Sequence, residues 1–314
     1  MSNEISIIGA GVVDVLVGAV DEKIFSRSST PMDFITASFG GDALNEAIVL
    51  SRFGKRVQWL SKVGADEAGK RILHYAEVNG LSTADVKIES KLETAINIVL
   101  VDEAGERHFL TNPRSSLRRL TAEDILPHVD EMAPLVSFAS MFVSPLLTVP
   151  VMEKIFSRIK ASRRTLAVDA TSAKNGETLK DLTTLFSHVD YFFPNEAELA
   201  TLTGSTDIDK NISDLLACGL KCAVVKRGGN GCIVARDDER WEIPACPTEK
   251  VVDTTGAGDC FAAGFLWALS EQMSLVECAR FGGAVAACSV EEVGAVTGVT
   301  SLAKVFERYK SARE

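Results

Sequence analysis

The chain is short of positive charge. It carries 33 Lys and Arg against 43 Asp and Glu, a net charge of −10, which argues against nucleic acid or an anionic membrane surface as a partner. Nucleotides are not excluded, because backbone N–H groups and single Lys or Arg residues can hold them. No stretch reaches the roughly 18–20 apolar residues that a membrane helix needs. The opening residues, M-S-N-E-I-S-I-I-G-A-G, lack the basic start of a signal peptide. A cytoplasmic protein with no membrane partner is therefore expected. Cysteines number seven, an odd count at irregular spacing, which suits free thiols in a reducing compartment. Cys218 and Cys222 lie four apart with no Cys or His pair to answer them, so zinc is not expected. Cys260 falls at a helix start, where a thiol pKa can drop, but packing explains it as well. The four histidines, His74, His108, His128 and His188, fall in no catalytic pattern. No repeat, low-complexity tract or flexible linker divides the chain.

What is present is apolar content and alternation. Hydrophobic residues make up 46% of 314 positions, enough for a large core. From residue 121 onward strand-like and helix-like segments alternate: strands near 135–139, 165–169, 190–194, 223–227 and 232–235, helices near 149–162, 196–203 and 212–218. This pattern predicts a parallel sheet covered by helices on both faces. Ligands then gather at the carboxyl ends of the strands, where Asp169, Asn195, Arg227 and Asp253 all fall. Earlier in the chain, strands near 57–63, 86–88 and 94–101, a helix at 67–79, and a hairpin at 96–111 turning through 102–107 are expected. Residues 17–37 have mixed polarity and few helix signals, and suit strands of a small sheet.

Gly9-Ala10-Gly11-Val12-Val13-Asp14 nearly matches the dinucleotide fingerprint G-x-G-x-x-G. Asp14 replaces the third glycine, and a carboxylate is a poor neighbour for a pyrophosphate, so nicotinamide binding is rejected. Phe39-Gly40-Gly41-Asp42-Ala43-Leu44-Asn45 turns tightly into a helix. Asp42 and Asn45, three apart, can share its first turn and suit a polyol, although Asp42 also suits a cap. Asn195 and Glu198 have capping-box spacing. Val225-Lys226-Arg227-Gly228-Gly229-Asn230-Gly231 reads as a glycine-rich turn, either a plain hairpin or a nucleotide loop. The richest stretch is residues 251–269, V-V-D-T-T-G-A-G-D-C-F-A-A-G-F-L-W-A-L. It turns through small residues and becomes a helix from about Asp259. The unpaired N–H groups of a helix start form an anion site. A carboxylate in such a site suits phosphoryl transfer to an alcohol, with N–H donors holding phosphate charge and Asp259 accepting a proton.

This last stretch resembles the second signature of the ribokinase-like (PfkB) carbohydrate kinase family, and residues 39–69 resemble its first. The resemblance implies a three-layer α/β/α fold with a mostly parallel sheet and a small β-sheet lid. It also implies one domain over 1–314, with lid segments at about 15–38 and 92–113. Asp259 becomes the catalytic base, and the amides of Gly256, Ala257 and Gly258 become the anion hole. Asp14, Gly41, Asp42 and Asn45 would hold a sugar, with Arg114 able to reach it. Asn195, Lys226, Gly228, Gly231 and Thr254 would face ATP. Magnesium is implied near Glu198, and potassium between loop 289–295 and the segment around Asp253, which makes Glu198 and Asp253 the metal candidates. A homodimer through the lid is implied. A nucleoside kinase, or a sugar or nucleotide sensor without catalysis, stands as the alternative. Asp169-Ala170-Thr171 is not followed by the arginine of several fructokinase and ketodeoxygluconate kinase relatives, which argues against an acidic or fructose-type acceptor.

Overall fold

The computed structural model describes residues 2–102 and 107–312. The chain opens with β1 (Ile5–Ile8), β2 (Val12–Val20) and β3 (Phe34–Gly40), then α1 (Asp42–Arg52), β4 (Val57–Gly64), α2 (Glu67–Val78) and β5 (Val86–Glu89). It continues through β6 (Ile96–Asp102), β7 (Arg107–Thr111), the short α3 (Ala122–Ile125), β8 (Leu135–Met141), α4 (Val149–Ala161) and β9 (Thr165–Ala170). Next come α5 (Thr183–Phe186), β10 (Tyr191–Phe192), α6 (Glu196–Thr203), α7 (Ile208–Ala217), β11 (Cys222–Lys226), β12 (Cys232–Arg236) and β13 (Glu239–Ile243). Three helices close the chain: α8 (Ala257–Ser270), α9 (Leu275–Ser289) and α10 (Leu302–Ser311).

Nine strands form one sheet in the order β13-β12-β11-β10-β9-β8-β1-β4-β5. Pairing is parallel from β11 to β5 and antiparallel only at β11–β12 and β12–β13. Period-two alternation sends successive side chains to opposite faces. Ile5 and Ile7 of β1 and Val224 of β11 pack with Leu44 of α1, Phe265 of α8 and Phe281 of α9. Ile8, Val225 and β9 residues Leu166 and Val168 pack on the other face with Phe156 of α4, Leu199 of α6 and Leu215 of α7. The result is the three-layer arrangement that the alternating pattern predicts.

Four strands form a second, smaller sheet in the order β3-β2-β6-β7. The β6–β7 pair is antiparallel, Asn97 opposite Thr111 and Leu100 opposite His108, as a hairpin requires; the central residues of its expected turn, 103–106, lie outside the described residues. Gly9 and Gly11 lead from β1 into another strand, β2, and not into a helix. The dinucleotide fingerprint therefore lacks the helix it needs, in keeping with its rejection. Two strand-helix segments differ from expectation. The strand expected at 190–194 is only two residues long; the Asp190 and Phe193 N–H groups still donate to Leu166 O and Val168 O of β9, and the Asp190 carboxylate accepts from Leu166 N–H, Lys160 and Lys221. The helix expected from Ile212 starts at Ile208, since the Asp207 side chain accepts from Lys210 N–H and caps it.

Candidate active site

The anion turn is built by backbone geometry. Gly256 caps α8 at φ 71°, and a Cβ there would sit 2.5 Å from Ala295 Cβ. Only glycine fits both the conformation and the close approach. Ala257 N–H donates to Thr254 O at 3.2 Å and Cys260 N–H to Gly256 O at 2.8 Å. Among the described residues no acceptor meets the N–H groups of Gly256, Gly258 and Asp259. Ala257 N–H, also expected in the anion site, here donates within the turn. Gly41 does the same service for α1. It caps that helix at φ 98°, and a Cβ on it would meet Ala10 O at 2.6 Å.

These two helix starts bring Asn45 and Asp259 together. Asn45 Nδ2 donates to Asp259 Oδ2 at 2.7 Å across 214 residues of sequence. The packing around its carboxyl raises the Asp259 pKa, and the like charge of Asp42 raises it further; Asn45 and Lys226 oppose the shift. Asp42 accepts from Ser140 Oγ at 2.5 Å. Asp14 accepts from Asn97 Nδ2 at 2.9 Å, and burial raises its pKa against that bond.

Two cavities flank Asp259. One, of about 460 Å³, is lined by Asp14, Gly41, Asp42, Asn45 and Asn97 among others. The other, of about 710 Å³, is lined by Asn195, Glu198, Lys226, Gly228, Gly231 and Thr254 among others. Asp42, Thr171, Gly258 and Asp259 line both. The Asp259 carboxyl and Gly258 of the anion turn therefore stand on a wall that both cavities share, an arrangement that suits group transfer between two bound molecules.

In the larger cavity, Lys226 Nζ pairs with Asp169 at 2.5 Å. A Cβ on Gly258 would lie 3.3 Å from that ammonium, so Lys226 abuts the anion turn. Burial raises the Asp169 pKa to about 7 despite the lysine. Asn195 and Glu198 form the capping box that opens α6, Asn195 N–H donating to Glu198 at 2.8 Å and Glu198 N–H to Asn195 Oδ1 at 2.9 Å. The Glu198 carboxyl still lines the cavity.

Two expected residues are placed otherwise. Arg114 is exposed and lines neither cavity; its N–H donates to Asn112 Oδ1. Asp253 is buried, and its carboxylate is engaged by three donors: Thr255 N–H at 2.9 Å, Gly294 N–H at 2.9 Å and Arg107 Nη2 at 2.7 Å. Both of its side-chain oxygens thus already face protein donors. The segments proposed to hold potassium meet directly, with Val252 and Asp253 N–H groups donating to Val290 O. Among the described residues no group of three or more His, Cys, Asp or Glu could hold a metal.

Several lining residues carried weak signals in the sequence. Asn97 is a polar residue inside the apolar run 96–101, with Ile96 and Ile98 beside it. Arg107 reaches Asp253 from 146 residues away, and no spacing rule finds such a partner. Glu46 lines neither cavity; it is fully buried in α1 behind them, where Ser137 Oγ donates to one of its oxygens at 2.7 Å.

The sequence profile of the pfkB family carbohydrate kinases matches residues 4–302. The chain belongs to that family. An uncharacterized sugar kinase of Archaeoglobus fulgidus is 30% identical over 256 residues, covering 80% of this kinase and 97% of its own chain. The ribokinase of Haemophilus influenzae is 27% identical over 285 residues, 86% of this kinase and 87% of its own chain. The Arabidopsis thaliana ribokinase, solved with ribose and ATP, superimposes with a TM-score of 0.84 at 22% identity, covering 99% of each chain. The fold of this kinase is therefore the mixed α/β fold of ribokinase structures, and its reaction class is phosphoryl transfer to an alcohol. Among the described residues no helix is long and apolar enough to cross a membrane.

Proposed function

We propose that the kinase transfers the γ-phosphoryl group of ATP to a hydroxyl of a sugar or sugar-like molecule, with Asp259 as general base. The observation that carries this reading is the position of Asp259 and Gly258 on the wall common to both cavities. The acceptor would occupy the smaller cavity and ATP the larger. Asn45 holds Asp259 Oδ2, leaving Oδ1 to meet the acceptor hydroxyl. A carboxylate with a raised pKa is a stronger base, matched to proton transfer near neutral pH. As the hydroxyl oxygen attacks phosphorus, its proton passes to Asp259 and the bond to the ADP oxygen breaks. The N–H groups of Gly256, Gly258 and Asp259 and the Lys226 ammonium would hold the phosphoryl charge in a site that needs little reorganisation. Asp14 and Asp42, fixed by Asn97 and Ser140, would accept from other hydroxyls.

Magnesium fits the larger cavity through Glu198 together with phosphate oxygens, since this cation takes one or two carboxylates and keeps its waters; it would neutralise phosphate charge. The small sheet covers the acceptor side through Asp14, Leu16, Asn97 and Phe109, and so would act as the lid that keeps water from the phosphoryl group. Its other face is apolar: Ala37, Val15, Ile98 and Leu110 lie in one cross-strand row. Ile35, Ile98 and Leu110 on that face are 69%, 42% and 45% exposed. A second copy of the chain is the partner that this face would take. Coupled measurement of ADP release over a panel of sugars and nucleosides tests the reading. Acceptor-dependent release with sugars is expected. Release with nucleosides alone, or none with any acceptor, would contradict it.

A further inference from the structure

The acceptor cavity holds more positive charge than a neutral sugar needs. Three cations line it: Arg107, Arg118 and Lys174. Arg107 is neutralised by Asp253. Neither of the others has a carboxylate partner among the described residues. Arg118 ends the turn that follows the small sheet, Ser116–Arg118. It is held at both ends: its Nη1 donates to Val143 O at 2.9 Å, and its own carbonyl accepts from Ser144 Oγ at 3.2 Å. Among the described residues no acceptor meets its Nη2 and Nε donors, which leaves them for a ligand. Lys174 comes from the loop after β9, which is anchored where Thr171 N–H donates to Met141 O at 3.1 Å. Desolvation lowers the Lys174 pKa, the like charge of Arg118 lowers it further, and Asp42 opposes both. Two neighbouring cations, neither in a salt bridge among the described residues, repel one another and would be favoured by an anion shared between them. The carboxyl groups in the same cavity, Asp14, Asp42 and Asp259, suit hydroxyls instead. The cavity thus offers hydroxyl acceptors on one wall and a cationic pair on another.

The geometry points to a sugar acid as the acceptor: a polyhydroxylated chain whose carboxylate lies between Lys174 and Arg118 while one hydroxyl reaches Asp259. This rests on the kinase reading above and narrows it. A carboxylate answers the pair with one charge and two oxygens, one for the arginine donors and one for the ammonium. The chemistry is otherwise unchanged. The hydroxyl proton goes to Asp259, the new O–P bond forms, and ADP leaves with the electrons of the broken O–P bond. The positive charge comes from residues 118 and 174, so the missing arginine after Thr171 does not weigh against an acid.

The test is ADP release with an aldonic acid and a 2-oxo aldonic acid, set against ribose, fructose and fructose 6-phosphate. An acid is expected to exceed the neutral sugars in kcat/KM by about tenfold or more, the worth of one charge-assisted contact. Lys174→Gln should cut the acid by about 10- to 100-fold and the neutral sugars by much less, and Lys174→Arg should restore most of the loss. Binding of the acid to the Asp259→Asn variant, measured by titration calorimetry, should weaken in the same way when Lys174→Gln is added. A preference for a neutral or phosphorylated sugar, or an equal loss for both classes in Lys174→Gln, would overturn the assignment and leave the kinase reading standing. No ADP release with any acceptor would overturn both.

Discussion

Asp259 is a carboxyl whose ionisation is set by its neighbours. Packing raises its pKa first and the Asp42 charge second. A proton on Asp259 blocks its use as a base, so activity should grow as pH rises through that pKa and level off above it. Asp42→Asn removes the like charge and should lower the pKa. The rising limb of kcat/KM should then move to lower pH by about one unit. The position of the limb decides, because the height also reflects acceptor binding. A limb that stays in place would mean that Asp42 does not act on the base. Asn45 acts in the opposite sense, since its amide donates to the ionised form. At this scale the sequence was informative wherever a residue sat in a dense motif: Asn45 donates to Asp259 across the fold, and Lys226 lines the same cavity as Asp259. It was silent on Asn97, Arg107, Arg118 and Lys174, whose partners lie across the fold. Asp253 shows the limit from the other side. The resemblance implies potassium near it, and the three donors around its carboxylate became visible only once β7 and the loop after α9 were in place.

At the scale of elements, an ion pair ties the small sheet to the anion turn. Arg107 of β7 donates to Asp253, two residues before Thr255. Asp253 in turn holds Thr255 and Gly294 N–H groups, so the sheet and the turn share one anchor. Arg107→Met removes the tie and leaves both backbone bonds. The acceptor KM should rise about tenfold, the loss of one charge-assisted hydrogen bond. The KM for ATP should stay within about twofold, because Arg107 does not line the larger cavity. Equal increases in both KM values would show that Arg107 supports the fold as a whole. The elements themselves were largely legible, since period-two alternation and helix caps are local signals. β13 was not foreseen: Glu239–Ile243 has only Trp241 and Ile243 to suggest a strand, and it forms by pairing with β12. The same reasoning accounts for α8, which starts at Ala257 and not at Asp259, because Gly256 at positive φ lets the chain turn two residues earlier.

At the scale of the whole molecule, one sheet carries the chemistry and the other carries an exposed apolar row. Ile98 stands in that row with Val15, Ala37 and Leu110. A charge there would be buried in a dimer and harmless in a monomer. Sedimentation velocity at micromolar concentration should therefore show a dimer for the unaltered chain and a monomer for Ile98→Asp. A monomeric unaltered chain would remove the assignment of this face. The account as a whole stands on Asp259 as the base between two bound substrates. Its most direct test is acceptor-dependent ADP release by Asp259→Asn, with ATP binding measured alongside. A fall in kcat of about 10²- to 10⁴-fold or more, with ATP affinity and thermal unfolding near those of the unaltered chain, is the predicted result. An Asp259→Asn variant that turns over at close to the normal rate would contradict the account.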